Sequence, residues 1–497
     1  MEPPTTQELD SYRAEADRFI AELDEEYYLH YAGLKDRLEL EEIYERHASL
    51  TELERVQAIG AAVDGHGDHA TRELWRFACE GYFGSLTREL AERVAALEAE
   101  LEVTVDGETI PFRMLRPAIA NEADRDRRER LDRAMWEATD EHLNPLYVEA
   151  FEVERAALPA VGASTYLELY DEKFRFDLQD LAAQCRAFLD STEELYERSF
   201  DRALRDVLGI SLEEAKRWDV NRMLRSPQWD ERFPGDLMLP ALKTTLSDLG
   251  IDLDSQKNVH LDIEQRPQKS PRAFCAPIEV PDKVMLVIQP IGGADDWRAF
   301  FHEAGHTEHY ANTSPELSME EKRLGDSAVT EGWAMLMQHL IDDPAWLSRR
   351  LDFPRPQDYA AEGKLWLLFF VRRYSAKLLY EMEFHGNGSA EEMPKRYVEL
   401  LGDALRIEPS PANYLADIDD GFYVHSYLRS WALEAQLRDH LRERFGNEWF
   451  TSPEAGSLLR ELWAEGQRPT ADELLHEVAG TSVEMEAVAD RVREALT

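Results

Sequence analysis

Cysteine is scarce in this chain. Cys79, Cys185 and Cys275 are the only three in 497 residues, and they lie far apart. That excludes a disulfide framework and a cysteine-paired metal site, and it predicts three reduced, partly buried thiols. Long hydrophobic runs are also missing. No eighteen consecutive residues are apolar, so no membrane span is expected. The start, Met1-Glu2-Pro3-Pro4, lacks the basic and apolar segments of a secretion signal. The expectation is a cytoplasmic protein. Basic residues are few, 56 against 100 acids, and only eleven of them are lysine. A net charge of -44 repels phosphate backbones and argues against a nucleic-acid partner. No strict internal repeat is found. An apolar content of 43% is ordinary, so the chain should fold, and 497 residues exceed one simple core. Two lobes around a shared cleft are expected.

The most informative stretch is Phe300-Phe301-His302-Glu303-Ala304-Gly305-His306-Thr307-Glu308-His309-Tyr310. Gly292-Gly293 ends whatever precedes it, and Asp295 or Asp296 suits a helix start. Trp297, Phe300, Phe301 and Ala304 then recur at helical spacing, which predicts one buried face. On such a helix His302 and His306 lie one turn apart and can point two imidazoles at one metal ion. Glu303 sits beside them, where its carboxylate can reach a metal-bound water. His309 continues the stripe.

A second stretch, Ala328-Val329-Thr330-Glu331-Gly332-Trp333-Ala334-Met335-Leu336-Met337, is apolar nearly all round and reads as a buried helix. Glu331 is the only acid between Asp326 and Asp342. A buried carboxylate is costly without a partner. Its partner is either an arginine or a metal ion, and with an ion it completes a His2Glu site with an open position. Glu331 follows His306 by 25 residues, room for a helix, a loop and a return helix.

His-Glu-x-Gly-His-x-x-His, spanning His302 to His309 and followed by this distal Glu331, resembles the thimet oligopeptidase and oligoendopeptidase F family of zinc metallopeptidases, of gluzincin type. The resemblance implies one zinc ion held by His302, His306 and Glu331, with Glu303 as general base. His309 and Asp326 would orient those ligands. It also implies a mainly α fold, with a small β-sheet next to the zinc-binding helices and a deep substrate cleft.

The rest of the chain supports a helical protein. Helices are expected over 7–28, 34–48, 51–62 and 69–101. Val103 to Phe112 alternates around Asp106-Gly107, a hairpin signal. The charged run Asp124 to Arg130 reads as a solvated, salt-bridged helix face. Hairpin, arginine-rich helix and a long helix to Leu158 follow the order seen in the N-terminal lobe of oligoendopeptidase F. Helix resumes from Leu178 to Asp206, and 208–234 has turns and breaks. The lobe boundary is set near 200, giving an N-terminal helical lobe (1–200) and a catalytic domain (201–497). Val259–Glu264, Ala273–Ile278 and Lys283–Ile288 read as three short strands before the zinc helix, a natural edge for an extended peptide. Ser270-Pro271-Arg272 stands where the family has a glycine-rich turn. Gly386-Asn387-Gly388 reads as a turn.

Gly421-Phe422-Tyr423-Val424-His425-Ser426-Tyr427 resembles the family's C-terminal aromatic run. Tyr423, His425 and Tyr427 are the candidate donors to an oxyanion. His425 replaces a usual tyrosine, and Asp417 stands where a histidine is expected. The resulting expectation is zinc-dependent hydrolysis of internal bonds in short peptides. Two alternatives stand beside it. One is a carboxypeptidase or dipeptidyl carboxypeptidase, with Arg272 or Arg429 binding the terminal carboxylate. The other is a non-catalytic metal- or peptide-binding protein, which would have no use for Glu303. The His2Glu set does not choose among zinc, cobalt and manganese, and the oligomeric state is not legible.

Overall fold

The fold is taken from a computed structural model that describes residues 4–64, 68–386 and 391–497. The expected turn at Asn387-Gly388 and residues Met1–Pro3 lie outside these. The chain is mainly α, 72% helical, with few strands. In order, the elements that matter are α1 (Thr6–Tyr31), α2 (His69–Glu100), β1 (Glu102–Val105), β2 (Glu108–Pro111), α3 (Arg125–Ala138), α4 (Asn144–Ala157) and α5 (Leu178–Leu208). Then come β3 (Val259–Asp262), β4 (Phe274–Glu279), β5 (Lys283–Val287), α6 (Ala294–Asn312), α7 (Ser327–Gln338), α8 (Pro356–Gly386) and α9 (Tyr423–Phe445). Among the described residues no helix is long and apolar enough to cross a membrane. All three cysteines are free thiols, as their spacing implied.

Two local expectations change. The helix expected over 34–48 shrinks to Glu41–Arg46. Buried Glu26 takes the Lys35 ammonium at 2.8 Å and the Glu39 N–H at 2.7 Å, which holds 35–39 in a turn. The helix toward Leu158 is interrupted by a π-helical turn, Thr139–Leu143, just before Asn144-Pro145. Proline has no N–H for the ladder and crowds the preceding turn. Among the turns and breaks of 208–234 lies one short helix, Arg217–Leu224.

The chain divides into two compact units. The first comprises Met1–Ala78, Pro227–Gly363 and Arg429–Val488. Its sheet has the order β3-β5-β4, with β3 parallel and β4 antiparallel to β5. Ala32 at the end of α1 packs with Ala276, Ile278, Met285 and Val287 on one side of that sheet. Aromatic residues fill the core beside α6. Trp297 stacks on Phe301 (5.9 Å, 8°), and both meet Trp346 edge-on. Trp297, Phe300 and Phe301 are completely buried, which is what their spacing required.

The second unit comprises Cys79–Ser226, Lys364–Leu428 and Ala489–Thr497. The hairpin β1–β2 has the register Val103↔Ile110. Its Val105 and Ile110 pack with Leu115, Ile119, Leu131 and Met135. The arginine run of α3 is salt-bridged but only partly solvated. Arg127 and Arg130 pair with acids of the hairpin, whereas Arg125 and Arg128 converge on Asp219, which is fully buried.

Candidate metal centre

Two glycines launch the helix that carries the motif. Gly292 and Gly293 have φ of 98° and 95°, and a Cβ on Gly292 would lie 2.7 Å from the Gly235 nitrogen. The turn therefore needs glycine on two counts. Neither aspartate caps α6 in the ordinary sense. The Asp296 carboxylate instead accepts the N–H groups of Ile291 and Gly292, at 3.0 and 2.8 Å, and ties the entry turn to the helix.

Gly305 sets how closely α6 and α7 approach. A Cβ there would lie 2.6 Å from both the Ala334 Cα and the Trp333 carbonyl oxygen. Contact of backbone against backbone brings Glu331 of α7 to the two histidines of α6. The His302 and His306 Nε2 atoms lie 3.2 Å apart. Glu331 Oε2 lies 3.4 Å from the first and 3.9 Å from the second. Donor atoms of the three side chains all fall within 4.8 Å of one another, and this group can hold a metal ion.

The ring orientations are fixed from behind. His302 Nδ1 is 3.0 Å from Gln338 Oε1, and His306 Nδ1 is 2.9 Å from Thr330 Oγ1. With Nδ1–H donating to these oxygens, each Nε2 turns its lone pair toward the other and toward the Glu331 carboxylate. Three electron-rich atoms so close repel one another unless a shared proton or a metal cation lies among them. Four ligands placed tetrahedrally about 2.05 Å from an ion are about 3.3 Å apart, close to the distances found here. The donor set fits a divalent metal of the zinc type.

Proton affinities follow the same crowding. Burial alone would depress the His302 pKa, but the hydrogen bond and charge of Glu331 outweigh it and raise the ring above its usual value. Burial drives His306 down to about 3, against the pull of Glu331. Burial raises Glu303, partly offset by His302 and by the Cys275 N–H. That N–H donates to Glu303 Oε2 at 2.9 Å, so β4 fixes one oxygen of the carboxylate. The positive charge of Arg272, three residues upstream, also acts on Glu303.

The structure thus brings together His302, Glu303, His306 and Glu331. It does not bring His309 among them. That ring is fully buried and stacked on Tyr310, and burial lowers its pKa to about 4. Asp326 caps α7 through the Ala328 N–H at 3.0 Å and also accepts the Ala471 N–H at 2.9 Å. It pairs with Arg429, whose other nitrogen holds Asp472, so Arg429 is committed to two carboxylates. Tyr423, His425 and Tyr427 belong to the second unit, at the start of α9. Tyr427 meets Tyr423 and Tyr374 edge-on, and His425 is buried with its ring stacked on Phe176 (4.6 Å, 20°). Asp417, also there, pairs with Arg373 and accepts the Tyr397 hydroxyl at 2.7 Å.

Sequence reading missed Gln338 and Thr330. A signal was available: Gln338 follows Glu331 by seven residues, two helical turns, and so shares its face. Thr330 is adjacent to Glu331, but nothing local marks it as the partner of a histidine 24 residues away.

Neither a protein-family model nor a curated protein sequence matches the chain. Solved structures do match its fold. A Bacillus anthracis str. Ames protein assigned as an oligoendopeptidase F is 17% identical, with a TM-score of 0.61 over 99% of this chain and 86% of that one. PZ peptidase A, solved with an inhibitor, is 16% identical, with the same TM-score and the same coverage. The Pyrococcus furiosus carboxypeptidase in its apo-magnesium form is 15% identical, with a TM-score of 0.58 over 100% of both chains. At such identities the likeness establishes the fold.

Proposed function

We propose that this chain, built on the fold of those peptidases, is a cytoplasmic zinc-dependent peptidase that hydrolyses internal bonds of short oligopeptides. The observation that carries the reading is the convergence of the His302 and His306 Nε2 atoms, 3.2 Å apart, with the Glu331 carboxylate, a donor set that can hold a metal ion. His302, His306 and Glu331 would hold the ion. When bound, zinc polarises the scissile carbonyl and makes water nucleophilic near neutral pH.

The protein's own groups do the rest. Glu303 adjoins a ligand but lies outside the ligand set, and the Cys275 N–H occupies one of its oxygens. The carboxylate takes a proton from the attacking water and returns it to the leaving amine. Tyr423, His425 or Tyr427 donates a hydrogen bond to the oxyanion. The exposed side of β4 holds the extended peptide by main-chain bonds.

A second reading, removal of residues from a C-terminus, is favoured by the full-length match to a carboxypeptidase. One experiment separates the two. Purified protein is incubated with a pool of unmodified peptides, with and without chelator, and the products are mapped by mass spectrometry. Chelator-sensitive internal cuts support the first reading, and cuts confined to C-termini support the second. No cuts by protein with bound metal would refute both.

A further inference from the structure

The turn that leads into α9 is tied down at every second residue. Arg373, Lys377 and Glu381 follow one another at intervals of four along α8 and so form one stripe. Arg373 pairs with Asp417, whose other oxygen accepts the Tyr397 hydroxyl at 2.7 Å. The Lys377 ammonium is 2.6 Å from Asp419 Oδ1 and 3.6 Å from Glu381 Oε1. The Asp419 N–H donates to that same Glu381 oxygen at 3.0 Å. Two residues on, the Gly421 N–H donates to the Tyr166 hydroxyl at 3.1 Å.

Lys377 and Glu381 are both buried. Arg373 and Lys377 bring two positive charges to three acids, Asp417, Asp419 and Glu381. Burial pushes the Glu381 carboxyl well above the ordinary range, with Lys377 opposing and Asp419 adding to the rise. With Glu381 neutral, each cation has one carboxylate and the buried charges balance. Glu381 Oε2 and Asp419 Oδ2 are buried without a hydrogen-bond partner among the described residues, and a proton kept on Glu381 supplies a donor between two acids.

The turn needs such ties. Gly421 and Phe422 both have positive φ, 63° and 51°. For phenylalanine that backbone is strained, and it persists only where the surroundings fix it. Phe422 is completely buried and adjoins Tyr423, the first residue of α9. The Lys377 ammonium also lies 5.3 Å from the centre of the Tyr374 ring, and Tyr374 meets Tyr427 edge-on at 5.6 Å. Lys377 therefore acts on both candidate tyrosines, through the turn before Tyr423 and through the ring against Tyr427.

We propose that Lys377 and Glu381 are positioning residues, which lock the turn Asp417–Phe422 and so fix where Tyr423 and Tyr427 present their hydroxyls. The use of those hydroxyls rests on the peptidase reading, whereas the lock does not.

The test compares the full metal-loaded parent with K377M, D419A, E381L and E381Q. Hydrogen exchange followed by mass spectrometry reads residues 417–424, and steady-state kinetics on one cleaved peptide read the donors. In K377M, D419A and E381L the segment is expected to exchange about tenfold faster. Their kcat is expected to fall about a hundredfold, with KM and bound metal unchanged. E381Q keeps a neutral side chain with an acceptor oxygen, and it is expected to recover slow exchange and kcat together. Melting curves confirm that each variant is folded. Asp419 is partly exposed, so D419A reads the same lock even if E381L does not fold. Exchange that stays slow in K377M and D419A overturns the proposal, and so does faster exchange with kcat unchanged. If the parent cleaves no peptide, the peptidase reading fails separately. Faster exchange in K377M and D419A then still supports the lock, and unchanged exchange overturns it.

Discussion

Gly305→Ala adds one methyl group and sets two effects against each other. In a helix interior alanine is ordinarily worth about 0.8–1.0 kcal/mol over glycine, so α6 taken alone would gain stability. Against that, the new Cβ would lie 2.6 Å from the Ala334 Cα and from the Trp333 oxygen. Both are backbone atoms and cannot rotate away. Ordinary contact between such atoms begins near ~3.4 Å, so α6 and α7 must separate by about 0.8 Å. Overpacking of this kind costs about 1–3 kcal/mol, enough to outweigh the propensity gain. The same displacement moves Glu331 away from His302 and His306, whereas metal sites tolerate only about 0.2 Å in ligand distance. The variant is therefore expected to melt lower and to bind metal at least about tenfold more weakly. Thermal unfolding followed by circular dichroism reads the first effect, and zinc competition against a chromogenic chelator reads the second. A G305A protein that melts higher and holds zinc as tightly as the parent would refute the claim that glycine sets the ligand geometry.

Glu303→Gln should keep bound metal, measured by mass spectrometry of metals, and lower kcat by about 10²–10⁴-fold, since the amide cannot take the proton. Gln338→Leu removes the acceptor behind His302 and should weaken metal binding by about 10–100-fold in the same chelator competition, with Thr330→Val acting in the same direction on His306. Stripping the metal with chelator should lower the melting temperature, and restoring it at a hundred times its Kd should return about 2.7 kcal/mol. Burial and the like charge of Asp420 hold the Glu154 carboxyl up at about 7, against an ordinary 4.5 and despite Arg155. Such a group binds its proton more tightly in the folded protein. Its contribution to stability is complete below pH 4.5 and is lost as pH rises through about 7. Glu154→Gln should therefore remove a fall in melting temperature across that window, and an identical pH profile in the variant would refute the assignment.

What the sequence determined about this protein is the part encoded by local spacing. His302 and His306 lie four residues apart, and that places two imidazoles on one helical face wherever the helix goes. Trp297, Phe300, Phe301 and Ala304 identify the opposite face as core, and Glu331 declares itself by being the single acid in an apolar helix. The hairpin at Asp106-Gly107 and the strand at Val259–Glu264 follow from alternation, and the two later strands from short apolar runs. What only the tertiary structure decided depends on pairs distant in the chain. That Gly305 meets Trp333 and Ala334, that Thr330 and Gln338 stand behind the histidines, and that the Cys275 N–H holds Glu303 are all consequences of packing. The charges show the same limit. Arg272 and Arg429 were equivalent candidates in the sequence, because a guanidinium looks the same whether or not it has a partner. Folding commits Arg429 to Asp326 and Asp472 and leaves Arg272 exposed beside the edge strand, since an ion pair is settled by which acids the chain brings within reach.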